Sequence, residues 1–162
     1  SYSFDANSSD QPYDRASVDG KGPFFSFSAP LSGQYDEQGR PQGPQAPCYK
    51  PPWGELVAVD ASTGEIKWSV PLGVIDELPE GKRLVGNSGS AGPTVTAGGL
   101  VFVGATNDRR FRAFDAATGQ QLWETQLAAN ANANPMTYRG RSGKQYVAIN
   151  AGGTIITYSL SR

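Results

Sequence analysis

The chain has 162 residues, with 14 Lys and Arg balanced by 15 Asp and Glu for a net charge of −1. That is the size of one domain with a sizeable core. The absence of any clustered basic run excludes a phosphate-tracking groove, so nucleic acid is not an expected partner. No His and a single cysteine, Cys48, exclude His-based triads and an internal disulfide and argue against a zinc site.

Residues 1–52 are rich in Ser, Gly, Pro, Asp and Gln and carry no sustained helical or strand period. A solvated linker and a long pinned loop share that composition. The aromatics Phe4, Tyr13, Phe24, Phe25, Phe27, Tyr35 and Tyr49 favour the pinned loop, because they carry too much apolar surface to stay in water. A short strand is expected at Gly22 to Ser28.

Residues 53–162 read as sheet. After Trp53, which either plugs the space between loop and sheet or lines a funnel, strands are expected at Glu55 to Val59 and Glu65 to Val70. The connection 71–91 follows. Residues 92–127 then spell out a four-strand meander, Gly92 to Thr96, Leu100 to Ala105, Phe111 to Asp115 and Gln121 to Gln126. Its turns are Ala97-Gly98-Gly99, Asn107-Asp108 and Ala116 to Gly119. In the second turn Asn107 and Asp108 are oxygen donors of the kind calcium takes. One acid beside Arg109 and Arg110 is a poor cation site, however, and a plain turn with a solvated arginine pair is the better account. Asn130, Asn132 and Asn134 alternate with Ala, sharing one side if extended or capping loop turns if not. Strands at Pro135 to Arg139, Gln145 to Asn150 and Thr154 to Ser161, with a hairpin at Arg141-Ser142-Gly143, close the chain one strand short of a fourth.

One segment occurs twice. AVDASTGEIKW at 58–68 matches AFDAATGQQLW at 113–123, a period of 55 residues. Asp60 and Asp115 end a strand with an acceptor for turn N–H groups, Thr-Gly reverses the chain, and Trp68 and Trp123 sit on the outer strand. A four-strand unit at this period points to an all-β fold, a partial β-propeller with two to three four-stranded antiparallel blades. No propeller closes with so few blades, so the chain is expected to be a fragment of a longer polypeptide or to close its edges by association.

The repeated AxDxxxGxxxW resembles the tryptophan-docking motif of the pyrroloquinoline quinone (PQQ) dependent dehydrogenases. PCYKPPWGELVAVD at 47–60, GPTVTAGGLVFVGATNDRRFRAFD at 92–115 and NPMTYRGRSGKQYVAINAGG at 134–153 are similar to the C-terminal part of the membrane-type glucose, quinate and polyol enzymes. The resemblance implies an eight-bladed ring in the bacterial periplasm, membrane-associated if a missing N-terminal segment anchors it. It also implies a parent enzyme that oxidises an alcohol, polyol or sugar with PQQ and Ca²⁺ and passes electrons to a quinone or cytochrome. The missing fourth strand of the last blade would come from an N-terminal strand of the parent, and the remaining blades would be the chain's partners.

In such a ring the cofactor lies across the axis, where the 71–91 connection arrives. Asn87, Ser88, Ser90 and Gly92, with Gly89 and Ala91 between them, are therefore the expected cofactor neighbours, through small side chains and free backbone N–H groups. A plain Gly/Ser loop has the same composition. The catalytic Asp and the calcium ligands of the family fall upstream, so no catalytic and no metal-binding residue is assigned here. The fragment alone is expected to be inactive, to self-associate through open strand edges, and to bind PQQ only if the pocket does not need the missing blades. The alternative is a non-catalytic propeller scaffold for protein partners.

Overall fold

The structure is a computed structural model that describes residues 2–3, 14–15 and 28–159. The chain separates into two compact units, Ser1–Lys50 and Pro51–Arg162.

In the first unit β1 (Tyr2–Ser3) pairs antiparallel with β2 (Asp14–Arg15), and β3 (Ser28–Pro30) with β4 (Gln45–Pro47). The loop between β3 and β4 is drawn together by a bridge from Tyr35 to Pro41. Asp36 braces its tip by accepting from the backbone N–H of Gln38 and Arg40 and from the Arg40 guanidinium. Strands of two or three residues are too short to display a period of two, so the residue pattern of this region carries none. The strand expected at Gly22 to Ser28 lies outside the described residues except for Ser28, which opens β3.

The second unit consists of three antiparallel sheets taken in chain order. A two-stranded sheet joins β5 (Glu55–Val59) to β6 (Ile66–Pro71). The meander β7 (Thr94–Val95), β8 (Leu100–Val103), β9 (Arg110–Asp115) and β10 (Gln121–Gln126) is ordered β10-β9-β8-β7, as the residue pattern predicts. The last sheet is β11 (Met136–Arg139), β12 (Gln145–Ala151) and β13 (Thr154–Tyr158), again in sequence order. Among the described residues there is no helix. The alternation that specifies these strands also sends their apolar residues to faces that meet the next sheet.

Two apolar layers hold the sheets together. Leu56 and Leu72, with Trp68 and Val70 beside them, meet Val101, Val103, Ala105 and Phe114 of the meander. On its other face the meander's Phe111, with Leu127 and Ala131, meets Val147, Ile149 and Ala151 of the last sheet. Trp68 bridges the first layer: its Nε1–H donates to the Ala116 carbonyl at 3.0 Å. Its ring lies so close to Gly119 that a Cβ there would sit 2.6 Å from the indole. Gly119 also has φ +73°, so glycine is required twice over, for the turn and for the ring. Trp123 is placed differently, edge-on to Phe111 at 5.7 Å and to Tyr158 at 5.3 Å between ring centroids.

Candidate functional site

The two Asp-Thr-Gly turns behave as their residues dictate. Asp60 Oδ1 accepts from Ser62 N and Oγ, and Asp115 Oδ1 accepts from Ala117 N, Thr118 N and Thr118 Oγ1. The Ser62 contacts, helped by Lys67, hold the Asp60 carboxyl down at about 2. The Thr118 contacts lower Asp115 likewise.

The turn after β8 is the centre of the polar structure. Asp108 is buried, and its carboxylate accepts from the Arg112 guanidinium, from Thr106 Oγ1 at 2.7 Å and from the Val74 backbone N–H at 2.9 Å. Arg112, also buried, reaches Glu124 Oε2 at 2.9 Å. Arg110 pairs with Asp76 at 2.9 Å and Glu124 at 3.1 Å. Burial alone would raise the Asp108 carboxyl, but the hydrogen bond and charge of Arg112, with Thr106 and Val74 N–H, outweigh it and the pKa is lowered. Asp76 is lowered by Arg110 in the same way.

Asn107-Asp108 does form the turn, but Asp108 is buried in it and spent on Arg112, Thr106 and Val74. The solvated Arg109-Arg110 pair needs correction: Arg110 is ion-paired on two sides, while Arg109 takes φ +54° in the turn. Arg112 carried a signal that the reading passed over. A guanidinium between Phe111 and Ala113 in a run of buried strand residues needs a buried partner.

Asn87 to Gly92 runs beside this turn. Asn87 N donates to Leu72 O and its Nδ2 to Val74 O, both at 2.8 Å. Gly89 bridges to Thr106, with Ser90 N donating to Ala105 O and Asn107 N to Ser88 O. Gly92 N donates to Asn134 Oδ1 at 2.6 Å. The backbone N–H groups of Asn87, Ser90 and Gly92 are thus taken by the protein itself and do not form an open anion nest.

Side chains remain. Asn107 Nδ2 donates to Ser88 Oγ at 3.3 Å, and Asn130 Nδ2 to Asn107 Oδ1 at 3.2 Å. The Asn130 Oδ1 atom is buried with no hydrogen-bond partner among the described residues. The asparagines of the 127–135 connection therefore divide: Asn130 joins the turn, Asn134 caps Gly92, and Asn132 is exposed. Among the described residues no three His, Cys, Asp or Glu gather where they could hold a metal ion.

Successive antiparallel sheets, stacked face to face with an outer-strand indole seated on the next sheet's turn, define the chain as an open part of a β-propeller. Comparison with known proteins agrees with that class and narrows it. The family described as PQQ: Glucose/ethanol/alcohol dehydrogenase, beta-propeller domain, matches residues 4–147, and the chain belongs to that family. The quinate/shikimate dehydrogenase (quinone) of Acinetobacter baylyi is 38% identical over 132 residues, covering 72% of this chain and 16% of that protein. Quinoprotein glucose dehydrogenase A of Acinetobacter calcoaceticus is 46% identical over 112 residues, covering 66% of this chain and 14% of its own length. Among solved structures, the quinohemoprotein alcohol dehydrogenase from Comamonas testosteroni superposes with a TM-score of 0.49 at 35% identity, covering 65% of this chain and 13% of that one. The chain thus spans about a sixth of the length of the curated relatives it matches.

Proposed function

We propose that this chain supplies C-terminal blades, and with them part of the cofactor pocket, of a periplasmic PQQ-dependent dehydrogenase that oxidises an alcohol, polyol or sugar. The observation that carries this reading is the family match across residues 4–147. Relatives named for quinate, shikimate and glucose oxidation support the substrate range, and the first is named for a quinone acceptor. The small share of those relatives that the chain spans supports further blades as its partners, with the catalytic carboxylate and the Ca²⁺ ligands on them. Bound PQQ would supply two-electron oxidation of the alcohol.

The chain's own contribution is the polar margin around the turn at 106–108. PQQ presents carboxylates, and the groups here that suit a carboxylate are hydroxyls rather than backbone amides. Ser88 Oγ has a hydrogen to donate, and Ser90 Oγ makes no hydrogen bond among the described residues. Asn87 and Gly92 act one step back. Their hydrogen bonds to Val74 and Asn134 hold the run in place.

The test is dye reduction by a polypeptide that carries this chain as its C-terminal part. Reduction with quinate, glucose or a polyol that requires both PQQ and Ca²⁺ is expected, with none from the 162-residue chain alone. PQQ-independent turnover, or turnover by the chain alone, would overturn the reading.

A further inference from the structure

We propose that Tyr138 and Tyr146 form an oxidative modification site, at which one-electron oxidants join the two rings into a dityrosine that staples β11 to β12. The proposal rests on the geometry of one hairpin and not on quinone chemistry. The antiparallel register sets Tyr138 directly opposite Tyr146, next to the last pair before the turn, Arg139 with Gln145. Side chains so placed share a face and start from Cβ atoms about 4.5–5.5 Å apart. Here the two rings stack, with centroids 5.2 Å apart and planes 14° from parallel.

The turn leaves room for this arrangement. A Cβ at Gly140 would lie 2.9 Å from Tyr146 Cε2, so a side chain there would push the Tyr146 ring from its place. Tyr158 has no such phenol beside it among the described residues, because its ring meets Phe111 and Trp123. Both rings of the stacked pair belong to one hairpin, so their coupling needs no second sheet and no second chain.

The reaction is an oxidation by two electrons in all. Each phenol passes one electron to the oxidant and its O–H proton to water, and the two phenoxyl radicals form a carbon–carbon bond between ring positions ortho to oxygen. The hydrogens on those two carbons then move to the oxygens, which restores both phenols. Two electrons and two protons are lost, and hydrogen peroxide as the terminal oxidant takes them up to give two waters. Holding the second ring against the first favours coupling within the hairpin over coupling between chains, which must wait for an encounter. The product fastens a strand that is otherwise weakly held: all four residues of β11 are exposed, and β11 borders only β12 in its sheet among the described residues.

The chain carries its own means of reading the bond. Arg139, Arg141 and Lys144 lie between the two tyrosines, so trypsin separates them unless the rings are joined. Dilute purified chain is treated with a heme peroxidase and hydrogen peroxide, digested, and analysed by mass spectrometry. The peptide ending at Arg139 is expected joined to the one beginning at Gln145, two hydrogens lighter than their sum, from material that runs as a single chain on a denaturing gel. Tyr138→Phe and Tyr146→Phe keep a ring at each position, and circular dichroism confirms that each retains its strand signal. Both are expected to lose the joined peptide. Oxidised wild type without that peptide, or with dityrosine only between separate chains, would overturn the proposal. So would a joined peptide that persists in either phenylalanine variant.

Discussion

The two junctions between adjacent sheets solve one packing problem in different ways. Both bury an apolar layer, and both place a tryptophan from the outer strand of one sheet over the next. At the first junction the indole is anchored by the Ala116 carbonyl and by close contact with Gly119, and the connection before the meander is tied down by Asp108 through Val74 N–H. At the second, Trp123 is held by aromatic edges from Phe111 and Tyr158, remains 37% exposed, and makes no indole hydrogen bond among the described residues. Polar links there are Thr94 Oγ1 to Pro135 O and Gly92 N to Asn134. The difference teaches that the Trp motif by itself does not set the docking geometry. The acceptor turn of the following sheet does, and the last sheet has no fourth strand among the described residues to provide one.

The largest effect should come from the buried pair at the first junction. Asp108→Asn leaves the buried Arg112 guanidinium with Glu124 as its remaining charged partner, and the loss should approach the roughly 3–5 kcal/mol that breaking a buried pair costs without reaching its upper end. Urea denaturation should show that loss. Hydrogen exchange should quicken at Val74, whose N–H loses a charged acceptor, before it quickens at Ala148 of the last sheet. Equal quickening at both positions would mean that the junctions do not open separately.

Gly119→Ala compared with Gly64→Ala sharpens the contrast further. Both positions have positive φ, so each alanine pays a left-handed backbone penalty of about 1–2 kcal/mol. Only at Gly119 must the methyl also displace the Trp68 ring, which adds about 1–3 kcal/mol of overpacking. Melting temperatures should therefore fall further for Gly119→Ala. Equal falls would show that the indole moves aside at no cost.

These contrasts mark where the residue pattern was informative. The Asp-Thr-Gly turn and the strand that follows are local chemistry, so their recurrence exposed the repeat, the meander order and the outer-strand tryptophans. The ion-pair network was hidden because its members come from three separated stretches: Asp76, the Asp108–Arg112 segment and Glu124. Asp76, Asp108 and Glu124 each read as a solvated charge, and only Arg112, inside a run of apolar strand residues, carried a local sign of burial. The run Asn87 to Gly92 was read as amide donors free for an anion, yet only the fold reveals that Leu72, Ala105 and Asn134 have taken three of them. The β3–β4 pair escaped notice because three-residue strands in a Pro- and Gly-rich region carry no period.

A smaller effect compares the two indoles directly. Trp68→Phe removes one hydrogen bond to a carbonyl, worth about 0.5–1.5 kcal/mol, together with part of the contact on Gly119. Trp123→Phe keeps an aromatic edge toward Tyr158 and loses no hydrogen bond seen here, so its cost should be the lesser of the two. Chemical denaturation of both variants decides the order. A greater loss at Trp123 would place the main anchor of the stack at the second junction.

Acid should act on the first junction more than on the second, and the sign follows from the shifts. Asp108, Asp76 and Asp60 all have pKa values lowered by folding. The stability each contributes is fully present above the unfolded carboxylate value of about 3.9. It is lost as pH falls through the folded value, which for Asp60 is about 2. Stability should therefore be flat down to about pH 4 and decline below it. Asp108→Asn should decline less steeply, because one proton-linked carboxylate has been removed. Hydrogen exchange at Val74 should rise on acidification before exchange at Ile149, where the layer is aromatic and aliphatic and holds no carboxylate. An acid profile of the same slope in Asp108→Asn and wild type would show that Asp108 is not ionised in the folded chain, and the charged staple at the first junction would have to be replaced by a neutral hydrogen bond.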